Sequence, residues 1–202
     1  MTTKTTTNTG DIVDEIFALY ETYGDSDYLG EALSKTAHSI QCAMLAEAEQ
    51  HSAATILGAF FHDVGHLVGE HEHKPNMVFE NTNIGIHDHA LLGAHYLRCR
   101  GFRSDVTDIV AAHVDAKRYL CAINHDYYDN LTWASKRTLE FQGGPMSVDE
   151  VSKFEANPQH ELFISMRQWD EQAKDPNRQD MKSLNYYKKM TLEYLERVNT
   201  KQ

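Results

Sequence analysis

Apolar side chains recur along this chain with the three- and four-residue spacing that is typical of amphipathic helices. The predicted helices cover approximately residues 11–23, 35–50, 53–64, 88–100, 104–120, 131–141 and 182–198, with two shorter ones that follow Ser147 and Asn157. A strand needs a sustained alternation of apolar and polar positions, and no alternating segment of this chain is long enough to require a sheet. The pattern therefore predicts an all-α fold.

Several predicted helices begin at residues that commonly cap a helix. Ser34, Ser52 and Ser104 each precede a predicted helix, where a hydroxyl oxygen can accept a hydrogen bond from a free amide of the first turn. Ser147 and Glu150 have the spacing of a capping box at the start of a shorter helix. These residues indicate where the helices start.

Residues 68–87 interrupt the helical pattern with a polar segment that is rich in His and Asn. The segment is too long for a simple turn, so we interpret it as a surface loop. Long loops of this kind also serve as lids over binding sites, and a lid is the alternative interpretation.

The composition indicates an acidic globular protein. Its 202 residues suffice for one core, so we expect a flexible tail at residues 1–10 and a single helical domain at 11–202. A formal net charge of −11 repels phosphate backbones and anionic lipids, which argues against nucleic acid and membrane partners. Without a hydrophobic run of roughly 20 residues or a signal peptide, the protein is expected to be cytoplasmic.

Histidines and aspartates on the predicted helices form a candidate metal site. The potential ligands are His38, His62, Asp63, His89, His113 and Asp170. An adjacent His and Asp can share one ion while the second carboxylate oxygen reaches another, so the set is sufficient for two ions. Imidazole and carboxylate ligands without thiolate suit iron, manganese, zinc or cobalt.

Each of these residues taken alone is more often structural than metal-binding. Several polar groups that face one interior from separate helices would nevertheless need partners, and metal ions would supply them. His87 competes with His89 for one ligand position. His66 has three open interpretations, which are a ligand, a hydrogen-bond donor beside the ligands and a substrate contact.

Two cations are predicted to lie beside the metal ligands. Lys117 follows His113 by four residues, and Arg167 precedes Asp170 by three, so each cation shares a helix face with a ligand. Such residues bind anionic groups through charge-assisted hydrogen bonds. The alternative is ordinary surface salt bridging.

The ligand string resembles the HD superfamily, with His38, the pair His62 and Asp63 in the phrase HDVGH, and the distant Asp170. Its dinuclear branch contains both phosphodiesterases and oxygenases. Five longer phrases resemble the HD-domain mixed-valence diiron oxygenases of the PhnZ/TmpB type, which cleave carbon–phosphorus bonds. These phrases are DYLGE at 27–31, FFHDVGH at 60–66, AKRYL at 116–120, LEFQGGPMS at 139–147 and RQWDE at 167–171. The resemblance extends from about residue 11 to 175 and implies an HD-domain helical bundle.

The resemblance also implies a cofactor and its ligands. It implies two iron ions in the mixed-valence Fe(II)/Fe(III) state, one bound by His38, His62, Asp63 and Asp170, and the other by Asp63, His89 and His113. Asp63 would bridge the two ions. Dioxygen would be the co-substrate.

Further residues match substrate contacts of these oxygenases. The phosphonate contacts implied by the resemblance are Lys117, Ser135, Thr138 and Arg167. His66 matches a hydrogen-bonding residue on the substrate side, and Tyr28 and Glu31 match a gating pair. Glu31 would also lie near the nitrogen end of the substrate.

The implied function is dioxygen-dependent cleavage of 1-hydroxy-2-(trimethylammonio)ethylphosphonate to glycine betaine and phosphate. The trimethylammonium group suits aromatic faces beside a carboxylate, which Tyr28, Phe79 and Tyr119 with Glu31 could supply. Three alternatives are the same reaction on 2-amino-1-hydroxyethylphosphonate, which gives glycine and phosphate, a metal-dependent phosphohydrolase, and a metal-binding protein without activity. The sequence leaves the oligomeric state open.

Overall fold

The computed structural model describes residues 8–27 and 32–200 of the chain. These residues contain eleven helices and one β-hairpin. The helices are α1 Thr9–Tyr23, α2 Lys35–Ala48, α3 Ala53–Phe61, α4 Val64–His71, α5 His89–Arg98, α6 Ser104–Ile123, α7 His125–Asn130, α8 Trp133–Phe141, α9 Val148–Glu155, α10 His160–Gln172 and α11 Leu184–Asn199. The predicted helical fold class is confirmed. None of these described helices is both long and apolar enough to cross a membrane.

Helix α3 is the centre of the core because its sequence, AATILGAFF, is apolar on every face. It contacts helices α2, α6, α10 and α11, and these neighbours cover its side chains. Phe60 and Phe61 are fully buried, and the ring of Phe17 on α1 stacks on Phe60 at 5.7 Å between centroids. The two residues that directly follow α3 are His62 and Asp63, so the core positions the candidate metal ligands.

Three helix starts follow the predicted caps. The hydroxyl of Ser34 accepts from the amide of Ala37 at 3.1 Å, and Ser147 with Glu150 forms the predicted capping box. Ser52 likewise caps α3.

Two predicted helix starts were misplaced. Ser104 is the first residue of α6 and does not cap it, because the cap position is occupied by Arg103 without a side-chain hydrogen bond. Helix α10 begins at His160, later than the predicted start after Asn157. The side chain of Asn157 accepts from the amide of Gln159 instead and thus closes a turn before the helix.

The polar segment at 68–87 is not a loop. Helix α4 continues to His71, and strands β1 (Asn76–Phe79) and β2 (Thr82–Ile86) then pair as an antiparallel hairpin. Glu80 and Asn81 form its two-residue turn with positive φ angles of 46° and 66°, as tight hairpin turns require. The prediction failed because each strand has at most five residues, too few for a visible alternation.

Helices α4 and α5 cross at two glycines, Gly65 and Gly93. A Cβ atom on Gly65 would lie 1.9 Å from the backbone oxygen of His89, and one on Gly93 would lie 2.9 Å from the backbone nitrogen of Gly65. This close contact places His89, the first residue of α5, next to Asp63 at the start of α4.

We expect Gly65→Ala to lower the free energy of unfolding by about 3 kcal/mol, because the added methyl group has to push two backbones apart. Urea or thermal unfolding would measure the change. Gly10→Ala is the control, since its nearest neighbouring atom would be 3.7 Å away. Equal stability of the two variants would contradict the close crossing.

Candidate metal centre

The six predicted ligands converge on one buried region from four helices and the α3–α4 junction. His38 lies on α2, His62 and Asp63 at the junction, His89 at the start of α5, His113 on α6 and Asp170 on α10. None of the six is more than 8% exposed. The fold therefore assembles residues that are up to 132 positions apart in the sequence.

The first group of ligand atoms is formed by His38, His62 and the two aspartates. The Nε2 atoms of His38 and His62 lie 3.2 Å apart. Oδ1 of Asp170 is 3.2 Å from His38 Nε2, and Oδ2 of Asp63 is 3.2 Å from His62 Nε2. Four potential ligand atoms thus surround one point.

The second group is formed by His89, His113 and the other oxygen of Asp63. The two Nε2 atoms lie 3.1 Å apart, and Oδ1 of Asp63 is 3.4 Å from each. The two oxygens of Asp63 therefore face different groups. This is the arrangement that a carboxylate needs to hold two ions at once.

The hydrogen bonds of the four imidazoles determine which ring nitrogen carries the proton. Every Nδ1 atom lies within hydrogen-bond distance of a backbone carbonyl oxygen, at 2.9 Å for His38 and Ala173, 2.9 Å for His62 and Ala59, 3.2 Å for His89 and Ile86, and 2.8 Å for His113 and Val110. Because a carbonyl oxygen only accepts, each Nδ1 is the donor. In the neutral ring the Nε2 atoms then carry lone pairs directed at the cluster, as metal-binding histidines do.

This arrangement fits metal ions. Lone pairs of His89 and His113 face each other at 3.1 Å without a proton between them in the neutral rings. Oδ2 of Asp63 is buried and, among the described residues, accepts no hydrogen bond. Buried acceptors that face one another without donors are costly, and cations would satisfy all of them.

The histidines of the two ligand groups differ in how readily they accept a proton in place of a metal ion. Burial disfavours a charged His62, but the charges of Asp63 and Asp170 outweigh it and raise its pKa to about 9. The pKa of His89, by contrast, is held well below its usual value, and burial is the largest cause. A proton on His89 is therefore a poor substitute for a metal ion in the second group.

Cys42 lies beside the first group and was missed by the sequence analysis. Its Sγ is 3.7 Å from Nε2 of His38, which precedes it by one helical turn. Burial and the charge of Asp170 raise the pKa of this thiol well above its usual value. The ligand atoms of His38, Cys42 and His62 lie within 4.8 Å of one another, so Cys42 is a further candidate ligand of the first group.

The predicted anion site lines one cavity together with four of the six candidate metal ligands. Lys117, Ser135, Thr138 and Arg167 border this cavity, as do the candidate ligands Asp63, His89, His113 and Asp170 and the neighbouring His66. The Lys117 ammonium is 3% exposed and donates to the hydroxyl of Thr138 at 2.9 Å. Burial and the charge of Arg167 lower the pKa of Lys117 to about 7. A cation held under these conditions favours an anionic ligand.

Arg167 is held by residues that the sequence did not reveal. Its Nη1 donates to Oδ2 of Asp170 at 2.5 Å, and its Nε donates to the hydroxyl of Tyr127 at 3.0 Å and to Glu171 at 2.9 Å. The four-residue spacing to Glu171 was a usable signal, whereas Tyr127, on α7, gave none. These bonds fix the guanidinium group between the anion site and a metal ligand.

His66 has the opposite ring polarity from the four ligand histidines. Its Nδ1 accepts a hydrogen bond from the backbone amide of Ile86 at 3.0 Å, so in the neutral ring its proton is on Nε2. Burial lowers its pKa to about 4, which keeps the ring neutral. A protonated Nε2 cannot coordinate a metal, so His66 is a hydrogen-bond donor in the cavity.

This difference predicts the metal content of two variants. His66→Gln is expected to retain the wild-type number of metal ions per chain, whereas His89→Gln, which removes a lone pair from the second group, is expected to lose metal. Elemental analysis of the purified proteins measures both. Equal loss in the two variants would mean that His66 is itself a ligand.

The remaining predicted residues are accounted for as follows. His87 is 48% exposed and pairs with Asp88 at 2.7 Å, whereas Nε2 of His89 faces the second group of candidate ligand atoms. Tyr28 and Glu31 lie outside the described residues. Tyr119 and Phe79 are not among the described residues that line the cavity.

Comparison with known proteins shows one matching family and several similar relatives. The HD domain family matches residues 36–157. A protein of Leisingera caerulea named [1-hydroxy-2-(trimethylamino)ethyl]phosphonate dioxygenase (glycine-betaine-forming) is 38% identical over 180 residues, which are 89% of this chain and 87% of the relative. Hydroxymethylphosphonate dioxygenase of Gimesia maris is 37% identical over 166 residues, 82% of this chain and 79% of the relative. An uncharacterized protein of Acanthamoeba polyphaga mimivirus, L432, is 38% identical over 183 residues, 91% and 81% of the two chains.

Proposed function

Because this chain belongs to the HD-domain family and to the group within it that includes these phosphonate dioxygenases, we propose that it is an oxidoreductase acting on a small hydroxyphosphonate. The reaction is the dioxygen-dependent cleavage of a carbon–phosphorus bond. The observation that carries the proposal is a cavity that is lined by a buried pair of cations and by members of both ligand groups, which are Asp170 of the first, His89 and His113 of the second, and Asp63 of both.

The metal centre of the proposal is a pair of iron ions in the mixed-valence Fe(II)/Fe(III) state. His38, His62 and Asp170 would hold one ion, His89 and His113 the other, and Asp63 both. The iron pair would supply the redox chemistry that activates dioxygen, which the side chains of a protein cannot perform. The divided oxygens of Asp63 support this assignment.

The cavity residues bind and orient the substrate in this proposal. Lys117 and Arg167 bind the phosphonate through charge-assisted hydrogen bonds, and the hydroxyls of Ser135 and Thr138 add further ones. His66 donates its Nε2 proton to the substrate. Fixing the phosphonate between the cations and the metal ligands holds the hydroxyl-bearing carbon beside the metal centre.

The remaining assignments rest on the resemblance of short motifs. Tyr28 and Glu31 of the DYLGE motif are proposed as the gating pair, with Glu31 at the nitrogen end of the substrate. We further propose that residues 11–202 act as one domain and that the enzyme works in the cytoplasm.

Among hydroxyphosphonates, we propose 1-hydroxy-2-(trimethylammonio)ethylphosphonate as the substrate, with glycine betaine and phosphate as products. The 38% identity to the Leisingera caerulea enzyme supports this choice, but the 37% identity to the hydroxymethylphosphonate enzyme is nearly as high. Overall identity therefore does not distinguish the trimethylated substrate from hydroxymethylphosphonate. The alternative substrate is 2-amino-1-hydroxyethylphosphonate.

An oxygen balance tests the reaction. Iron-loaded protein is incubated with each of the three phosphonates, and phosphate release and oxygen consumption are followed together. Conversion of a hydroxyphosphonate to a carboxylate and phosphate incorporates both atoms of one dioxygen, so we expect one dioxygen consumed per phosphate released. Phosphate release under anaerobic conditions, or from phosphate esters with manganese, would instead identify a phosphohydrolase.

A further inference from the structure

The β-hairpin contributes one wall of the cavity that contains the metal ligands. Met77 of β1 and Ile84 of β2 line this cavity and are only 2% and 1% exposed. The neighbouring residue Val78 is 53% exposed, because successive side chains of a strand point to opposite faces. The hairpin therefore has an inner apolar face toward the cavity and an outer face toward solvent.

Backbone hydrogen bonds tie this wall to the metal centre. The amide of Ile86, at the end of β2, donates to Nδ1 of His66 at 3.0 Å. The carbonyl oxygen of the same residue accepts from Nδ1 of His89 at 3.2 Å. The side chain of Ile86 also packs so closely on Gly69 of α4 that a Cβ there would lie 2.6 Å away. The position of the hairpin is thus fixed relative to the ligands.

The other cavity walls have different chemistry. Lys117 and Arg167, with the hydroxyls of α8, form the anionic subsite of the proposed function. The metal ligands form a second wall. A substrate held at both has one further part, the substituent on its hydroxyl-bearing carbon. The other described residues that line the cavity are the polar Thr132, Gln142 and Lys174 and the apolar Val114, Ala134, Met77 and Ile84, so the two hairpin side chains supply the larger share of its apolar surface.

We propose that Met77 and Ile84 select the substituent on the hydroxyl-bearing carbon. This inference rests on the proposed function and specifies its substrate class. The two side chains offer apolar surface and no strong hydrogen-bond acceptor. They favour a bulky methylated group over a primary ammonium group, which would lose hydrogen bonds on contact with this wall. Hydroxymethylphosphonate carries only hydrogen at this position and gains no binding energy from the hairpin wall.

The test compares kcat/KM for the three phosphonates in Met77→Ala and wild type. We expect the value for the trimethylated substrate to fall roughly tenfold, the size of an apolar-pocket contact, and the value for hydroxymethylphosphonate to change less than about twofold. Val78→Ala is the matched control, since it truncates the outer face of the same strand. It is expected to leave all three values unchanged.

Folding is checked separately by iron content and melting temperature. Should Met77→Ala fail to fold, Ile84→Val removes a single methyl group from the same wall and is expected to shift the substrate ratio in the same direction, by about threefold.

The outcomes separate the inference from the proposed function. If the wild-type protein releases phosphate from none of the three phosphonates, the proposed function fails. If it is active but each truncation changes the kcat/KM values of all three substrates equally or not at all, the hairpin does not select the substituent. Faster turnover of the trimethylated substrate after truncation would also overturn the inference, because the wall would then exclude the group that it is proposed to bind.

Discussion

Asp63→Asn is expected to abolish binding of both metal ions and to lower turnover at least about 10³-fold, a loss of several kcal/mol of metal-dependent stabilisation. The carboxylate directs one oxygen to His62 and the other to His89 and His113. An amide has the same shape, but it lacks the charge and offers one oxygen. Elemental analysis and phosphate release measure the two effects.

Asp88→Asn is the control for this substitution. Asp88 is the neighbour of His89, but its side chain is 69% exposed and pairs with His87. We expect it to retain both the metal ions and the activity. If Asp63→Asn kept two metal ions per chain, the carboxylate would not bridge them, and the proposed arrangement of ligands would be wrong.

Lys117→Met is expected to raise the KM for the phosphonate about 100-fold, which corresponds to the loss of a buried charge-assisted contact. The stability of the protein should stay the same or increase. Among the described residues, the ammonium of Lys117 donates to the hydroxyl of Thr138 and makes no ion pair. An isolated buried cation destabilises a fold, so a methionine of similar length should be tolerated.

The combination of the two measurements is the test. A purely structural lysine would lower the melting temperature when replaced and leave KM unchanged. Lys153→Met, on the exposed surface of α9, is the control and should alter neither quantity. A Lys117→Met variant with wild-type KM would remove Lys117 from the proposed anion site.

The helices and their order could be predicted from the sequence because each depends on a local pattern. The apolar run of α3 specifies a buried helix, and the hydroxyls of Ser34, Ser52 and Ser147 specify three helix starts. Local spacing also paired Lys117 with His113 and Arg167 with Asp170. These signals lie within one or two helical turns and need no tertiary information.

The hairpin could not be predicted, although it borders the cavity. Its strands are short, and it is stabilised by contacts outside the hairpin, among them the hydrogen bond of Ile86 to His66, which lies 20 residues earlier in the chain. Tyr127 is a similar case, because its role beside Arg167 depends on how α7 packs against α10 and on no spacing in the sequence.

The helical fold and the identity of the six candidate ligands follow from the amino-acid sequence alone, since residue type and helical period are local properties. Which histidines can act as ligands depends on how the chain packs. His66 and His89 stack at 4.0 Å, yet Ile86 donates its amide to one ring and accepts from the other, so the two rings present opposite polarity to the cavity. The protonated nitrogen of a histidine depends on the partner of its other nitrogen, and only the folded chain supplies that partner.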